Sequence, residues 1–494
     1  MQKTLGRPTT EKKKTSIRYL DGLNLWILAA VFVANIFFQL SEVSSSLFMY
    51  VGTLIMIIPL FFLDKDEYIY IFVSLLSVIR FSTVFDVSVI NLITIVYFIR
   101  TYVFDNEYKT EKDKRRMSKP VVASCVGFIL YSLQYILNGN QAMRMSFIAI
   151  KLMLFLLYMV DVFRSCTDRK QGSKKFMNIQ IYYVLGVMIA VFCSILINPQ
   201  YSLDATRMSL AEGAGVNQLG ISLAFCLVFV TLGMTKVQNY KEWLCLAGVA
   251  LPLLYYCFAT QSRTSIVGMI VTFVSVLTLG YGQKRARKWI TFMGIGSVVV
   301  LGGLILFTEG SQIHENIMGT IERFTDPRGN DISNGRFDLW VIYYEKFTTN
   351  AKLFFLGGPL ESYANTQAHN MFIEIFALYG VVGAGVIAWM YTSVFLEIKR
   401  AVVKLGRGKT RILGFLPLAV LFITGMASHT LLNTEPSSFF CMGVAMIYFY
   451  GENDLDEDNV ADNDDSGVEP LSKRKGYKNF RRLGNSYSKK FRRI

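Results

Sequence analysis

The sequence is poor in charge, in histidine and in paired cysteines. Charged residues make up 18% of the 494 residues, whereas soluble domains carry about 25%. Three histidines and seven cysteines are present, and no two cysteines have the C-x-x-C spacing of a metal or redox site. These shortages exclude a soluble globular protein, a disulfide framework and a zinc module of that spacing. We interpret the cysteines as small buried apolar residues.

Long apolar runs dominate the composition instead, since hydrophobic residues make up 52% of the chain. Many runs reach the roughly 20 residues that cross a bilayer core. They predict an all-α, polytopic transmembrane helical bundle with about 12–14 spans. The predicted spans lie near residues 20–40, 45–63, 67–84, 87–104, 120–138, 145–163, 177–198, 216–234, 243–260, 264–281, 289–307, 371–396, 411–428 and 435–450.

The net charge of +15 indicates membrane topology rather than nucleic-acid binding. If the spans alternate, basic connections such as KTEKDKRRMSK and KRAVVKLGRGKTR fall on one side, which the positive-inside rule makes cytoplasmic. We therefore predict a basic cytoplasmic head at residues 1–19 and a transmembrane domain at residues 20–450. Within that domain, one long extracytoplasmic loop at about 308–370 carries short interfacial helices. Residues 451–494 form a disordered cytoplasmic tail.

Arginine on the outer side calls for a reason, because the positive-inside bias disfavours it there. Arg263 lies in the short turn QSRTS, and Arg207 lies in the polar stretch DATRMSLAEGAGVNQLG, where a span opens near Asn217. A guanidinium matches phosphate oxygens at two points, so both arginines are candidate anion-binding residues. The alternatives are a snorkelling arginine and, for Arg207, an ordinary loop charge. We expect Asn217 near a helix N-terminus, as a cap or a ligand.

A second pattern lies in the long loop. Phe337, Trp340, Val341 and Tyr344 recur at i, i+3, i+4 and i+7, which is one face of a helix. The pattern predicts an interfacial helix along the bilayer with Trp340 at headgroup depth. Arg336 begins this helix. The alternative is a helix that simply packs against the protein.

His369 and Asn370 come directly before the apolar run MFIEIFALYGVVGAGVIAWM. Asn370 is the predicted N-cap, which places His369 near the positive pole of a helix. A single histidine is usually structural, but this one follows a polar loop on the predicted outer face. A neutral imidazole accepts a proton from an attacking hydroxyl or hydrogen-bonds a phosphate. Glu374 follows one turn into the helix, where a charge is expensive.

Together these elements resemble the O-antigen ligase/polymerase superfamily of integral membrane glycosyltransferases. The resemblance rests on the Arg207 segment with Asn217, SRTS at Ser262–Ser265, NGRFDLW in the long loop and HNMFIEIFALYGVVG opening a span. It extends over most of the chain. The His-Asn element is the most specific of these motifs.

The resemblance implies that a hydroxyl of an acceptor sugar attacks the anomeric carbon of a lipid-linked donor, and undecaprenyl diphosphate leaves. It implies catalytic roles for His369, Arg263 and Arg207, in which the arginines hold the diphosphate. Metal and other cofactors are not expected, and the long loop contains no D-x-D cluster. The implied substrate-binding residues are Arg336, Asn217, Asn370, Trp340 and Glu374.

Within the superfamily, the Lys-rich, aromatic character favours a polymerase of capsular, exo- or O-antigen polysaccharide in the bacterial cytoplasmic membrane. A ligase that transfers the glycan to another acceptor is the alternative within the family. A lipid-linked oligosaccharide flippase and a membrane scaffold or sensor are the alternatives outside it. The expected partners are the undecaprenyl-diphosphate-linked donor and acceptor, membrane lipid, and a chain-length regulator and flippase of the same pathway. Nucleic acid is not expected.

Overall fold

The structure is a computed structural model, and it describes the chain in separate ranges. The described residues are 23–63, 65–76, 83–84, 87–100, 119–133, 141–165, 169–202, 207–210, 216–237, 240–279, 308–325, 335–359, 362–364, 368–403, 412–426 and 434–449, with a few between 291 and 306. The predicted head, the predicted tail and parts of the predicted span near 289–307 lie outside these ranges.

Helices form the described part of the chain before the long loop, apart from one short hairpin of strands β1 (Thr83–Val84) and β2 (Val87–Ser88). A helix satisfies its own backbone hydrogen bonds, as a segment in lipid must. The helices are α1 (Leu25–Val43), α2 (Leu47–Ile57), α3 (Lys65–Leu75), α4 (Val89–Ile99), α5 (Lys119–Ser132), α6 (Gln141–Ser165), α7 (Arg169–Ile197), α8 (Pro199–Ser202), α9 (Val216–Lys236), α10 (Tyr240–Ala259) and α11 (Arg263–Leu279).

The described parts of the long loop and of the chain after it also contain helices. The short loop helices agree with the prediction of helices in this loop. The loop contains α12 (Gln312–Thr325), α13 (Arg336–Thr349) and α14 (Ala351–Leu356), and it is followed by α15 (Met371–Val403), α16 (Leu416–Gly425) and α17 (Thr434–Phe449).

Five described helices are long and apolar enough to cross a membrane, by length and composition. They are α1, most of α7, α9, α10 and α15, and six shorter apolar helices accompany them. The all-α membrane bundle is therefore confirmed, while the number of spans stays a prediction. Residues 83–84 and 87–88, which the prediction placed in the spans near 67–84 and 87–104, form the β1–β2 hairpin instead. The described helices of these two spans are Lys65–Leu75 and Val89–Ile99.

Aromatic rings fill the interior where α7, α9 and α17 meet. Phe225 of α9 stacks on Phe439 of α17 with ring centroids 3.8 Å apart, and Tyr183 of α7 meets Phe439 edge-on at 5.4 Å. Such pairs add roughly 0.5–1.5 kcal/mol beyond the area they bury. Of the five long helices, α9 is the most enclosed. The packing therefore fixes α9, which carries Asn217 in its first turn.

Candidate functional site

Asn217 connects the Arg207 segment to the turn before α11. Its side-chain oxygen accepts a hydrogen bond from the Arg207 guanidinium at 3.4 Å and another from the Ser262 hydroxyl at 3.1 Å. The Arg207 segment is also held by its backbone, because Met208 N–H donates to the carbonyl of Ala259 at 2.9 Å. Asn217 therefore holds together two segments that are far apart in the sequence. These contacts favour a positioning role for Asn217, and substrate binding by it stays a prediction.

Small residues let α9 and α11 approach closely at this point. A Cβ atom added at Gly220 would lie 2.9 Å from the Cβ atoms of Ser262 and Ser265. Close crossings of membrane helices are typically built from such small residues. Ser262 and Ser265 are both buried, and Arg263 lies between them in the chain. The position of Arg263 relative to Asn217 is therefore set by this crossing.

Arg263 and Arg336 lie close enough for their charges to interact. Arg336 is half-buried at the start of α13, directly after Gly335, whose φ of 77° is left-handed. Burial first, and the positive charge of Arg263 second, lower the pKa of the Arg336 guanidinium from its ordinary value. Two like charges near each other in a partly desolvated place repel, and an anion relieves that repulsion. The arrangement suits a phosphate or diphosphate group.

Helix α13 holds the segment before His369 through Trp340. The indole N–H of Trp340 donates to the carbonyl of Ala368 at 2.9 Å, and Ala368 is fully buried. Trp340 is one turn after Arg336, so the two side chains emerge on one side of α13, about 5–6 Å apart at their Cβ atoms. Helix α13 therefore brings a cation to Arg263 and a hydrogen-bond donor to the residue that precedes His369.

The predicted apolar face of α13 is not the face that packs against the protein. Phe337, Val341 and Tyr344 are 62%, 53% and 68% exposed. Tyr343 instead is buried on another side of the helix and stacks on Tyr363 with ring centroids 5.1 Å apart. The ring of Trp340 meets the ring of Phe337 edge-on with centroids 5.2 Å apart, while its indole N–H bonds the carbonyl of Ala368. Contact of the exposed face with lipid stays a prediction.

The turn at His369 is fixed by its own side-chain contacts. His369 is half-buried with a φ of 51°, and its N–H donates to a carboxylate oxygen of Glu374 at 3.0 Å. The side-chain oxygen of Asn370 accepts from the N–H groups of Phe372 and Ile373 at 3.0 and 3.3 Å. Asn370 is thus the N-cap of α15, as predicted. Because these oxygens bind backbone, Asn370 and Glu374 shape the turn, and binding of substrate by them stays a prediction.

Unusual backbone geometry is concentrated at these two turns. In the described part of the chain, Gln261 and His369 are the only non-glycine residues with a left-handed backbone. A non-glycine residue in this region costs of order 1–3 kcal/mol and persists where the surroundings impose it. Gln261 lies two residues before Arg263. One strained position is therefore the predicted catalytic residue His369 itself, and the other lies close to Arg263.

A comparison with protein families matches residues 247–388 to a family model described as O-antigen ligase. This domain supports the O-antigen ligase/polymerase superfamily. A search of curated proteins found no match. The matched range contains Arg263, Arg336 and His369, whereas Arg207 and Asn217 precede it. The apolar helices and the O-antigen ligase domain together indicate a membrane enzyme of the ligase/polymerase type.

The reaction that the resemblance implies needs cations and a proton acceptor near one another. The described contacts connect the predicted residues in two separate series. The first series leads from Arg207 through Asn217 to Ser262, next to Arg263. The second leads from Arg336 along α13 to Trp340 and on to Ala368. Sequence reasoning named SRTS as a motif but gave Ser262 no role, because a small buried hydroxyl has no periodic signature.

Among the residues that the structure describes, no three His, Cys, Asp or Glu side chains converge to hold a metal ion. The charges of Arg263 and Arg336 act on each other, and guanidinium groups suit anions. The metal-independent reaction nevertheless stays a prediction.

Proposed function

We propose that this protein is a glycosyltransferase that polymerises undecaprenyl-diphosphate-linked oligosaccharide repeats into surface polysaccharide. The reaction takes place on the outer face of a bacterial cytoplasmic membrane, with both termini of the chain in the cytoplasm. The observation that supports this proposal most strongly is the O-antigen ligase match over residues 247–388, which contain Arg263, Arg336 and His369. The positive charge of Arg263 also acts on the Arg336 guanidinium. Two guanidiniums match the charge of a diphosphate and leave the reacting sugar free.

In this mechanism Arg263, Arg336 and Arg207 bind the diphosphate of the donor. The acceptor hydroxyl attacks the anomeric carbon, a new glycosidic bond forms, and the bond from that carbon to the diphosphate breaks. His369 takes the proton of the attacking hydroxyl. The electron pair of the broken bond leaves with undecaprenyl diphosphate, whose charge the arginines stabilise. No metal or other cofactor takes part.

The description of the matching family favours a second candidate, transfer of a completed glycan to another acceptor. Both reactions use the same donor chemistry and differ in the acceptor. A chain-length regulator and a flippase of the same pathway are the proposed protein partners. Membrane lipid surrounds the transmembrane helices and is the remaining proposed partner.

The test complements a deletion strain with the wild type, Arg263→Ala, His369→Ala or the control Arg400→Ala. Arg400 lies near the far end of α15, where its exposed side chain forms an ion pair with the buried Glu397. Surface polysaccharide and the lipid-linked pool are compared on one gel, with membrane protein levels matched. Loss of one anion-binding group costs about 3 kcal/mol, or roughly a hundredfold in rate.

We expect wild type and Arg400→Ala to make long chains. The variants Arg263→Ala and His369→Ala are expected to accumulate single lipid-linked repeats outside the membrane. Accumulation on the cytoplasmic face would instead identify a flippase. Full-length lipid-linked chains that never reach their final acceptor would identify a ligase. Normal long chains from both site variants would refute the site.

A further inference from the structure

Helix α15 is interrupted at Gly380. This residue has φ 60° and ψ −174°, which is not helical, so residues 371–379 form a separate half-helix. The interruption lies against the end of α14, where Gly357 is also left-handed at φ 73°. A Cβ atom on Gly380 would overlap the carbonyl of Phe355, and one on Gly357 would overlap that of Leu378. Glycine at both positions therefore permits backbone-to-backbone contact.

An interrupted helix leaves carbonyl groups without intrahelical partners, and each costs free energy in an apolar environment. Here the long loop and α5 supply donors. Gly358 N–H and the Tyr363 hydroxyl donate to the carbonyl of Ala377 at 2.9 and 3.0 Å. The Tyr131 hydroxyl of α5 lies 2.5 Å from the carbonyl of Tyr379. The end of the half-helix is thus held by side chains from distant parts of the sequence.

Tyr131 also reaches the loop itself. Its hydroxyl lies 3.0 Å from the carbonyl of Leu356, the last residue of α14. The one hydroxyl proton is therefore shared between the loop and the half-helix. The aromatic ring of Tyr131 covers Gly383, where an added Cβ atom would overlap it. Tyr131 thus connects α5 to both α14 and the half-helix through its one hydroxyl group.

The other end of the same half-helix begins with the His369 turn. Asn370 caps it and Glu374 binds the His369 N–H. A short helix transmits a displacement of one end to the other, because its internal hydrogen bonds make it nearly rigid along its axis. The orientation of the imidazole therefore depends on how the Tyr379 end is held.

We propose that Tyr131 is a positioning residue for His369, which acts by capping the half-helix 371–379 at the interruption of α15. The inference rests on the proposed function for its catalytic consequence. Tyr131 itself does not touch the substrate. The structural part of the proposal is that the Tyr131 hydroxyl stabilises the His369 turn. This part does not depend on the reaction.

The test compares Tyr131→Phe with Tyr391→Phe in the full-length protein in nanodiscs. Tyr131→Phe keeps the ring over Gly383 and removes only the hydroxyl. Tyr391 lies beyond the interruption on the same helix, and its hydroxyl is 2.9 Å from the buried hydroxyl of Ser437. It is a matched control, because it loses a buried hydroxyl contact with α17 and leaves the hydrogen bonds at Ala377 and Tyr379 in place.

The first measurement is amide hydrogen exchange across residues 369–374. A hydrogen bond contributes about 1 kcal/mol, so we expect roughly fivefold faster exchange there in Tyr131→Phe and little change in Tyr391→Phe. Equal exchange in wild type and Tyr131→Phe would overturn the proposal, whatever the activity. This measurement does not depend on the reaction.

The second measurement is transfer kinetics with a lipid-linked donor. We expect Tyr131→Phe to lower kcat about tenfold with the KM for the donor unchanged, and to have no further effect in a His369→Ala background. Additive losses would show that Tyr131 does not act through His369. Faster exchange at the turn in an enzyme that does not need His369 would refute the proposed function while leaving the structural coupling intact.

Discussion

Replacing Gly220 with alanine tests how the crossing of α9 and α11 sets the arginine site. The added Cβ atom would lie 2.9 Å from two serine Cβ atoms, those of Ser262 and Ser265, and 3.1 Å from the Ser262 hydroxyl oxygen. Carbon atoms in contact prefer 3.5–4.0 Å. The two helices must therefore separate, and Arg263 moves with them.

The magnitude follows from two opposing effects. Overpacking of a well-filled site costs about 1–3 kcal/mol. Alanine is favoured over glycine inside a helix by about 0.5–1 kcal/mol. The free energy of unfolding of Gly220→Ala should therefore fall by up to about 2 kcal/mol. Displacement of catalytic groups by an ångström costs up to a hundredfold in rate, so we expect transfer activity to fall at least tenfold.

Gly248→Ala is the matched control, because no atom lies within 4 Å of the Cβ atom it adds to α10. It should keep activity and hold or raise thermal stability. Both variants are purified in detergent, unfolded by heating and assayed for transfer of a lipid-linked repeat. The reasoning fails if Gly220→Ala is as active and as stable as Gly248→Ala.

Two further substitutions test the other contacts of the site. Trp340→Phe removes the indole donor from the buried carbonyl of Ala368, which costs about 1–3 kcal/mol. Transfer activity should fall in Trp340→Phe, while Val341→Ala, on the exposed face of the same helix, retains it. Equal losses would contradict the assignment. Gly380→Ala places a Cβ atom on the carbonyl of Phe355, so its yield of folded protein should drop sharply. In Gly385→Ala the added Cβ atom meets open space, so this variant should fold normally. Equal yields of folded Gly380→Ala and Gly385→Ala would argue against the tight contact between Gly380 and Phe355.

Some of the site followed from local sequence. Asn370 before an apolar run predicted a helix N-cap, because capping depends on hydrogen bonds within three residues. The helix at Arg336 followed from apolar periodicity, but which of its faces packs did not. The apolar residues Phe337, Val341 and Tyr344 are exposed, while Tyr343 is buried by stacking on Tyr363. Periodicity identifies a face, and only the neighbouring element decides what covers it.

The sequence by itself determined the membrane class, the helical architecture and the types of residue available for anion chemistry. These depend on composition and short-range hydrogen bonding. Only the tertiary structure decided that the charges of Arg263 and Arg336 interact, that Asn217 bonds both Arg207 and, 45 residues away, Ser262, and that Tyr131 caps a carbonyl 248 residues away. Such contacts depend on how distant helices cross, and the small residues and the helix interruption that allow those crossings have no periodic signature.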